Sequence, residues 1–400
     1  MDPLRHLQAE LDRLAAAGLL RTEPPPPAAG QIVLGSNDYL GLAARPLAVP
    51  EAGVASRAGA GGSRLTSGDH PEHAALERAL CAWLGYEAAL VFGSGYAANL
   101  GLLGALCGPG DVIVSDALNH ASIIDGCRLA RARVVVVPHL DAAAAERALG
   151  TAAPGAGALS VPAGRGSGPD ARCARVTRAP AAGRRWLVTE SYFSMQGTTP
   201  DLVRLRAACD AHGAALVVDE AHAIGVFGPE GRGLCCARGV KPDVLVGTLG
   251  KALGLQGAFV LGSSVLRRWL WNRARSFVYS TGLSPALAAA ARARVAAVAA
   301  AEPARRRLHE LSARVRRELD RWGAPLGASH GPIIPWLAGS PQRALDLSAA
   351  LAARGIVVPA VRPPTVPEGQ SGLRISLRAN LSDDEVQSAL DGFARVLGAG

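Results

Sequence analysis

The feature that most limits the fold is a series of short, β-branched, apolar runs spread through the middle of the chain. They are Val112-Ile113-Val114, Val134 to Val137, Trp186-Leu187-Val188, Ala215 to Val218, Val244-Leu245-Val246 and Ala258 to Leu261. None alternates apolar with polar residues, as a strand with one wet face would. Brief runs apolar on both faces suit parallel strands buried between helices. From about residue 75 these runs alternate with helical stretches, which predicts an α/β fold with a mostly parallel central sheet flanked by helices.

The chain has 400 residues, more than one compact domain usually holds, so a large and a smaller unit are expected. Leu4, Leu7, Leu11 and Leu14 recur at helical spacing and predict an amphipathic helix that stops before Pro24 to Pro27. Residues 1–45 form this helix and an arm, 46–284 the large domain, and 285–400 a smaller α+β domain. Ala- and Arg-rich helical composition runs from Pro285 to Trp322, and strand candidates follow near Ile333-Ile334, Ile356 to Val358 and Leu373 to Leu377. Ser382 and Glu385 make a capping box for a last helix whose buried face is Val386, Leu390, Phe393 and Leu397. Residues 151–184, dominated by Ala, Gly, Pro and Arg, carry no period and predict a low-complexity surface loop or disordered insertion.

Composition narrows the partners. The formal charge is +9, yet Lys occurs only at 241 and 251, and the Arg residues lie scattered among Ala and Gly. With aromatic residues at 4%, few rings interleave the basic ones, so no nucleic-acid partner is expected. The seven Cys show no C-x-x-C spacing and Cys235-Cys236 are adjacent, which predicts reduced thiols rather than a metal site or a disulfide framework. No apolar run reaches the length of a membrane span, and Met1 to His6 lack the regions of a secretory signal. A cytoplasmic protein is expected.

Chemistry concentrates at strand ends. After Val217-Val218 the chain emits Asp219 and, three residues on, His222. Ligands of open α/β sheets sit at the carboxyl ends of strands, and a buried Asp there needs a cation, such as a protonated pyridine nitrogen. The plain alternative is an Asp that caps the next helix. Gly247-Thr248-Leu249-Gly250-Lys251 follows the next apolar run. It is no phosphate-binding P-loop, because Ala252 replaces the required Ser or Thr and the first Gly is missing. A Lys on a glycine-rich strand-end loop facing an Asp on the neighbouring strand suits a Schiff-base cofactor; the alternative is a solvated Lys. Gly93-Ser94-Gly95-Tyr96 follows Ala88 to Phe92 and opens a helix, whose free N–H groups and dipole would hold a phosphate. His120 follows Val112 to Val114, a place that suits stacking on an aromatic cofactor; the alternative is a satisfied structural histidine. Gly59 to Arg64 makes only half a dinucleotide fingerprint. A phosphate cradle, a stacking ring, an acid for a ring nitrogen and a Lys for an aldehyde are together what pyridoxal 5'-phosphate (PLP) requires.

At this point the sequence resembles the α-oxoamine synthases, fold type I PLP transferases that join an amino acid to an acyl-CoA with loss of carbon dioxide. The motifs run in order: Ser36 to Leu42, Gly59 to Gly68 ending near His73, Ser94 to Asn99, Asn119 to Ser122, Thr189-Glu190 to Ser194-Met195, Asp219 to His222, Thr248 to Lys251, and Tyr279 to Thr281. The resemblance implies that Lys251 carries the cofactor and moves the substrate proton, that His120 stacks on the ring, that Asp219 pairs with its nitrogen and that His222 bonds its phenolic oxygen. It places Ser194 by the cofactor and gives Gly95, Tyr96 and Thr248 to the phosphate, with Ser280 or Thr281 reaching the phosphate of a partner in a homodimer. It gives Asn37 and Arg374 to the amino-acid carboxylate, and Thr365 and Arg21 to the substrate and its acyl chain. Arg362 to Pro367 with Leu373 to Leu377 resemble the branch that condenses L-alanine with a pimeloyl thioester, pimeloyl-CoA or pimeloyl-ACP, in biotin biosynthesis. Relatives using glycine, serine or another acyl-CoA stay open, as does a non-enzymatic α/β binding protein. Gln196 stands where the family usually has Asp in a Ser-Met-Asp-Gly run, and the 151–184 stretch is longer than usual.

Overall fold

The computed structural model describes residues 3–23, 26–46, 57–151 and 183–398. Pro24 and Pro25 of the expected helix stop, and all but the ends of the 151–184 stretch, lie outside the described residues. The leucine-spaced segment is helix α1 (His6–Ala16), and β1 (Ile32–Val33) follows it. Then come α2 (Pro71–Leu84), β2 (Ala88–Phe92), α3 (Gly95–Leu106), β3 (Val112–Asp116), α4 (Ala121–Ala130), β4 (Arg133–Val137) and α5 (Ala142–Thr151). The chain continues through β5 (Arg185–Glu190), α6 (Leu202–Ala211), β6 (Ala215–Asp219), α7 (Leu234–Ala237), β7 (Val244–Thr248) and β8 (Ala258–Gly262).

These strands form one sheet of order β2-β8-β7-β6-β5-β3-β4. β3 pairs in parallel with β4 and β5, and β5, β6 and β7 run parallel in turn. Neighbouring residues such as Val217 and Val218, or Leu90 and Val91, enter different buried clusters, so the sheet is covered on both faces. Two expectations need correction. The run Ala258 to Leu261 is not parallel: β8 lies antiparallel to both β7 and β2. Only residues 249–257 join β7 to β8, too few for a parallel crossover, which takes a dozen or more. The run Val134 to Val137 is not buried throughout either, because β4 is the last strand of the sheet and has one neighbour. Val136 is 64% exposed, and of the four only Val137 is buried.

Helices α8 (Ser264–Arg273), α9 (Arg275–Val278), α10 (Pro285–Ala299) and α11 (Glu302–Arg321) lead into the C-terminal part. There β9 (Ile333–Gly339), α12 (Pro341–Ala352), β10 (Ile356–Val357), β11 (Ala360–Val361), β12 (Ser371–Ser376) and α13 (Asp383–Leu397) follow. β11, β12 and β9 form an antiparallel sheet. β10 pairs in parallel with β1, Ile32 opposite Ile356, so the N-terminal arm belongs to this part of the molecule. The predicted capping box is formed: Ser382 Oγ accepts from Glu385 N at 3.1 Å and Glu385 Oε2 from Ser382 N at 2.7 Å. Val386, Leu390 and Phe393 are buried, while Leu397 packs at the margin.

Phe259 is fully buried between β2 and β7, so Phe259→Ala should cost about 3–5 kcal/mol in urea unfolding. Ser382→Ala, which removes one side of a formed cap, should cost about 1 kcal/mol. The two midpoints, read side by side, check the core and the cap.

Candidate active site

Parallel strands deliver their carboxyl ends to one rim of the sheet, and the chain departs in opposite directions after β3 and after β5, which opens a crevice there. Around it stand His120 after β3, Glu190 at the end of β5, Asp219 at the end of β6 and Lys251 just past β7. Glu190 and Asp219 are register partners on adjacent strands. Both carboxyls are buried. Asp219 accepts Asn99 Nδ2 and Ala221 N, each at 2.8 Å. It therefore closes the turn that follows β6, where no helix begins for it to cap, and still faces the crevice charges. Glu190 accepts the backbone N–H of His120 at 2.7 Å.

His120 is the N-cap of α4, its Nδ1 close to Ser122 Oγ (2.8 Å) and accepting Ser122 N (3.2 Å). Asn99 Nδ2 donates to the same Ser122 hydroxyl at 2.9 Å as well as to Asp219. His222, fully enclosed, meets the Tyr39 hydroxyl through Nδ1 at 2.7 Å. Tyr39 in turn accepts Arg374 Nη2 at 3.4 Å and lies 3.5 Å from Asn37 Oδ1, while Arg374 Nε donates to Ser194 O. Arg374 is 5% exposed, brought to the crevice by β12. The structure thus gathers Lys251, Asp219, His120, His222, Asn37, Ser194 and Arg374 at one place.

Electrostatics follow from burial. Burial first, then the positive charges of Lys251 and Arg374, hold the His222 imidazole well below its ordinary range, so it is neutral. Burial also lowers His120. Burial together with the neighbouring Asp219 charge lifts the Glu190 carboxyl to about 8. The Lys251 amine is lowered to about 8 by burial, against the pull of Asp219 and Glu190, and donates no hydrogen bond among the described residues. Its turn is shaped by Gly254, at φ +66°, whose N–H bonds Lys251 O at 2.8 Å. A Cβ at Gly254 would come within 2.5 Å of the Ala43 backbone, so the turn tolerates only glycine.

At the start of α3, Ser94 Oγ caps Ala97 N, and a Cβ at Gly93 or Gly95 would meet nothing within 4 Å, leaving open space beside the helix dipole. The Tyr96 ring stands edge-on to His120 with centroids 6.4 Å apart and its hydroxyl donates to Asp125. Thr248 Oγ1 donates to Gly257 O at 3.0 Å and accepts Gly250 N at 3.1 Å, so it braces the lysine turn. Ser280 and Thr281 are exposed on the turn after α9 and stand apart from this cluster. Arg21 donates to Thr365 Oγ1 at 3.0 Å, and both line a cavity of about 180 Å³ with Arg362 and Met195. A second cavity of about 370 Å³ shares Met195 and reaches Arg374, with Gln196, Thr198 and His139 in its wall.

The donor set fits PLP: an amine of lowered basicity for the aldehyde, a buried carboxylate for the ring nitrogen, and an open helix start for the phosphate. Three participants escaped the sequence reading as individual residues, although they stood inside its motifs. Glu190 obeys the strand-end rule that singled out Asp219. Asn99 is the one amide in an Ala-, Leu- and Gly-rich helix, and Tyr39 is a fully buried phenol just after Ser36-Asn37-Asp38.

A family model for class I and II aminotransferases matches residues 29–393, and the chain belongs to that family, with the fold type I architecture of its PLP enzymes. Within it, the chain is 46% identical to the 8-amino-7-oxononanoate synthase of Anaeromyxobacter dehalogenans, over 98% of this chain and 94% of the relative. It is 43% identical to that of Mycolicibacterium smegmatis, over 99% and 97%. Among solved structures, a serine palmitoyltransferase from S. paucimobilis carrying PLP bound to myriocin superposes with a TM-score of 0.83 at 28% identity over 100% of both chains. The motif-based resemblance and these matches agree on one branch of the family.

An amine protonated below its pKa cannot add to an aldehyde. Capture of PLP by the cofactor-free protein should therefore accelerate as pH rises through about 8. Stopped-flow absorbance over a pH series checks this, and a midpoint in the ordinary lysine range near 10.4 would contradict it.

Proposed function

We propose that the chain condenses L-alanine with a pimeloyl thioester, carried on CoA or acyl carrier protein, to give 8-amino-7-oxononanoate, carbon dioxide and the free thiol carrier in biotin biosynthesis. The observation that carries the reading is Lys251, an amine of lowered basicity on the turn after β7, set beside Asp219 and Arg374. Near-full-length relatives of that name support the substrate pair.

When bound, PLP supplies an aldehyde for amines and a ring that draws electrons from the bond broken at the substrate Cα. Around it the chain's own groups divide the work. The Asp219 carboxylate holds a proton on the ring nitrogen, since an adjacent anion favours the cation. His120 would stack on the cofactor ring, neutral His222, its Nδ1 engaged by Tyr39, would bond the phenolic oxygen, and Ser194 would stand by the cofactor. The start of α3 at Gly95 and Tyr96, together with Thr248, would hold the phosphate, completed by Ser280 or Thr281 of a second copy in a homodimer. Arg374 and Asn37 take the amino-acid carboxylate. Lys251 Nζ removes the Cα proton and later returns one; a pKa of about 8 lets it do both near neutral pH. Arg21 and Thr365 face the acyl group from the smaller cavity. A cytoplasmic setting belongs to the same reading.

Lys251→Ala should abolish the visible absorbance of the lysine-bound cofactor and lower turnover by more than about 10²-fold. Arg374→Lys, which loses the planar fork, should raise KM for the amino acid by about tenfold or more with a smaller effect on kcat. Turnover of L-alanine, glycine and L-serine against pimeloyl-CoA and acetyl-CoA tests the substrate pair. Preference for glycine with acetyl-CoA would overturn it.

A further inference from the structure

Glu190 has no part in the division of work above, yet it occupies the centre of the crevice wall. The carboxyl is buried and reaches across the strand gap to the backbone of the residue that must stack on the cofactor. Oε1 accepts His120 N at 2.7 Å. The turn carrying His120 is tied to β5 a second time, by Asn119 Nδ2 donating to Val188 O at 2.8 Å. On the other side the His120 ring is bound through Ser122 to Asn99 and so to Asp219. Asp219 is the register partner of Glu190. The result is a closed circuit: two strand-end acids, one gripping the backbone of His120 and the other gripping its ring by way of Asn99 and Ser122.

We propose that Glu190 is a positioning residue that fixes the His120 imidazole against the cofactor ring by accepting the His120 N–H, and that it does so without needing its charge. The proposal rests on the reading of this crevice as a PLP site. Two buried carboxylates side by side cannot both ionise cheaply. Glu190 takes backbone N–H groups alone, those of His120 and Ser194, which a neutral carbonyl oxygen holds as well. Burial and the Asp219 charge work in the same direction and raise the Glu190 carboxyl, favouring its protonated form against the pull of Lys251. A neutral acid in this place also leaves the ring nitrogen a single anionic partner.

The test measures PLP dissociation and the visible circular dichroism of the bound cofactor, which reports how the ring sits in its chiral surroundings. Glu190→Gln keeps a carbonyl acceptor and removes the titration; Glu190→Ala removes both. Glu190→Ala should weaken PLP about five- to tenfold, the cost of an orphaned buried N–H, and alter the dichroic band. Glu190→Gln should stay within about twofold and keep the band. In a His120→Ala background, Glu190→Ala should add less than about twofold, because the ring it positions is gone. Equal damage by Gln and Ala would overturn the proposal in favour of a role for the charge. An unchanged Glu190→Ala, or additive losses in the double variant, would overturn positioning. If Glu190→Ala does not fold, Glu190→Gln with a lost band still refutes it. A wild-type protein that shows no cofactor band would instead refute the PLP reading itself.

Discussion

Parallel pairing of β5 with β6 sets Glu190 and Asp219 level with each other at the rim of the sheet, and the rest of the site answers the cost of that arrangement. Buried carboxylates are expensive unless cations or donors meet them. Lys251 arrives from the neighbouring strand end, Asn99 from α3 and the His120 backbone from the far side of the crevice. Each partner comes from a different element. The sheet's order is therefore a condition of the chemistry as well as its support.

Arg374 shows the same logic at longer range. β12 carries it into the crevice as a guanidinium that is 5% exposed, held by Ser194 O and the Tyr39 hydroxyl. Tyr39 also meets His222, so one phenol joins Arg374 to the imidazole across the crevice. A change at Tyr39 would loosen both sides at once.

Much of this was legible in the sequence because strand ends are legible. Val217-Val218-Asp219 and Val244 to Lys251 each read as an apolar run that releases one polar group, and both lie where that reading put them. The same rule applies to Val188-Thr189-Glu190, but an acid found inside a motif without a cationic neighbour gave no reason to single it out. Asn99 and Tyr39 act through contacts made by residues far apart in the chain, which no local pattern records. Strand direction was legible only through the length of a connection, the short 249–257 link before β8, rather than through its apolar residues. An unbroken apolar run such as Val134 to Val137 also says nothing about whether a second neighbour exists to cover it.

The pairing of β1 with β10 bears on how the protein is made. Leu34 N bonds Val357 O, Ser376 N bonds Leu34 O and Ala379 N bonds Tyr39 O, so the arm bearing Asn37 and Tyr39 has its partners more than three hundred residues downstream. During synthesis that arm emerges well before the segments it pairs with. The seven-stranded sheet can assemble in the meantime, since every strand it needs precedes residue 263. Closing the arm onto β10 and β12 is a late, non-local step, of the kind most exposed to misfolding.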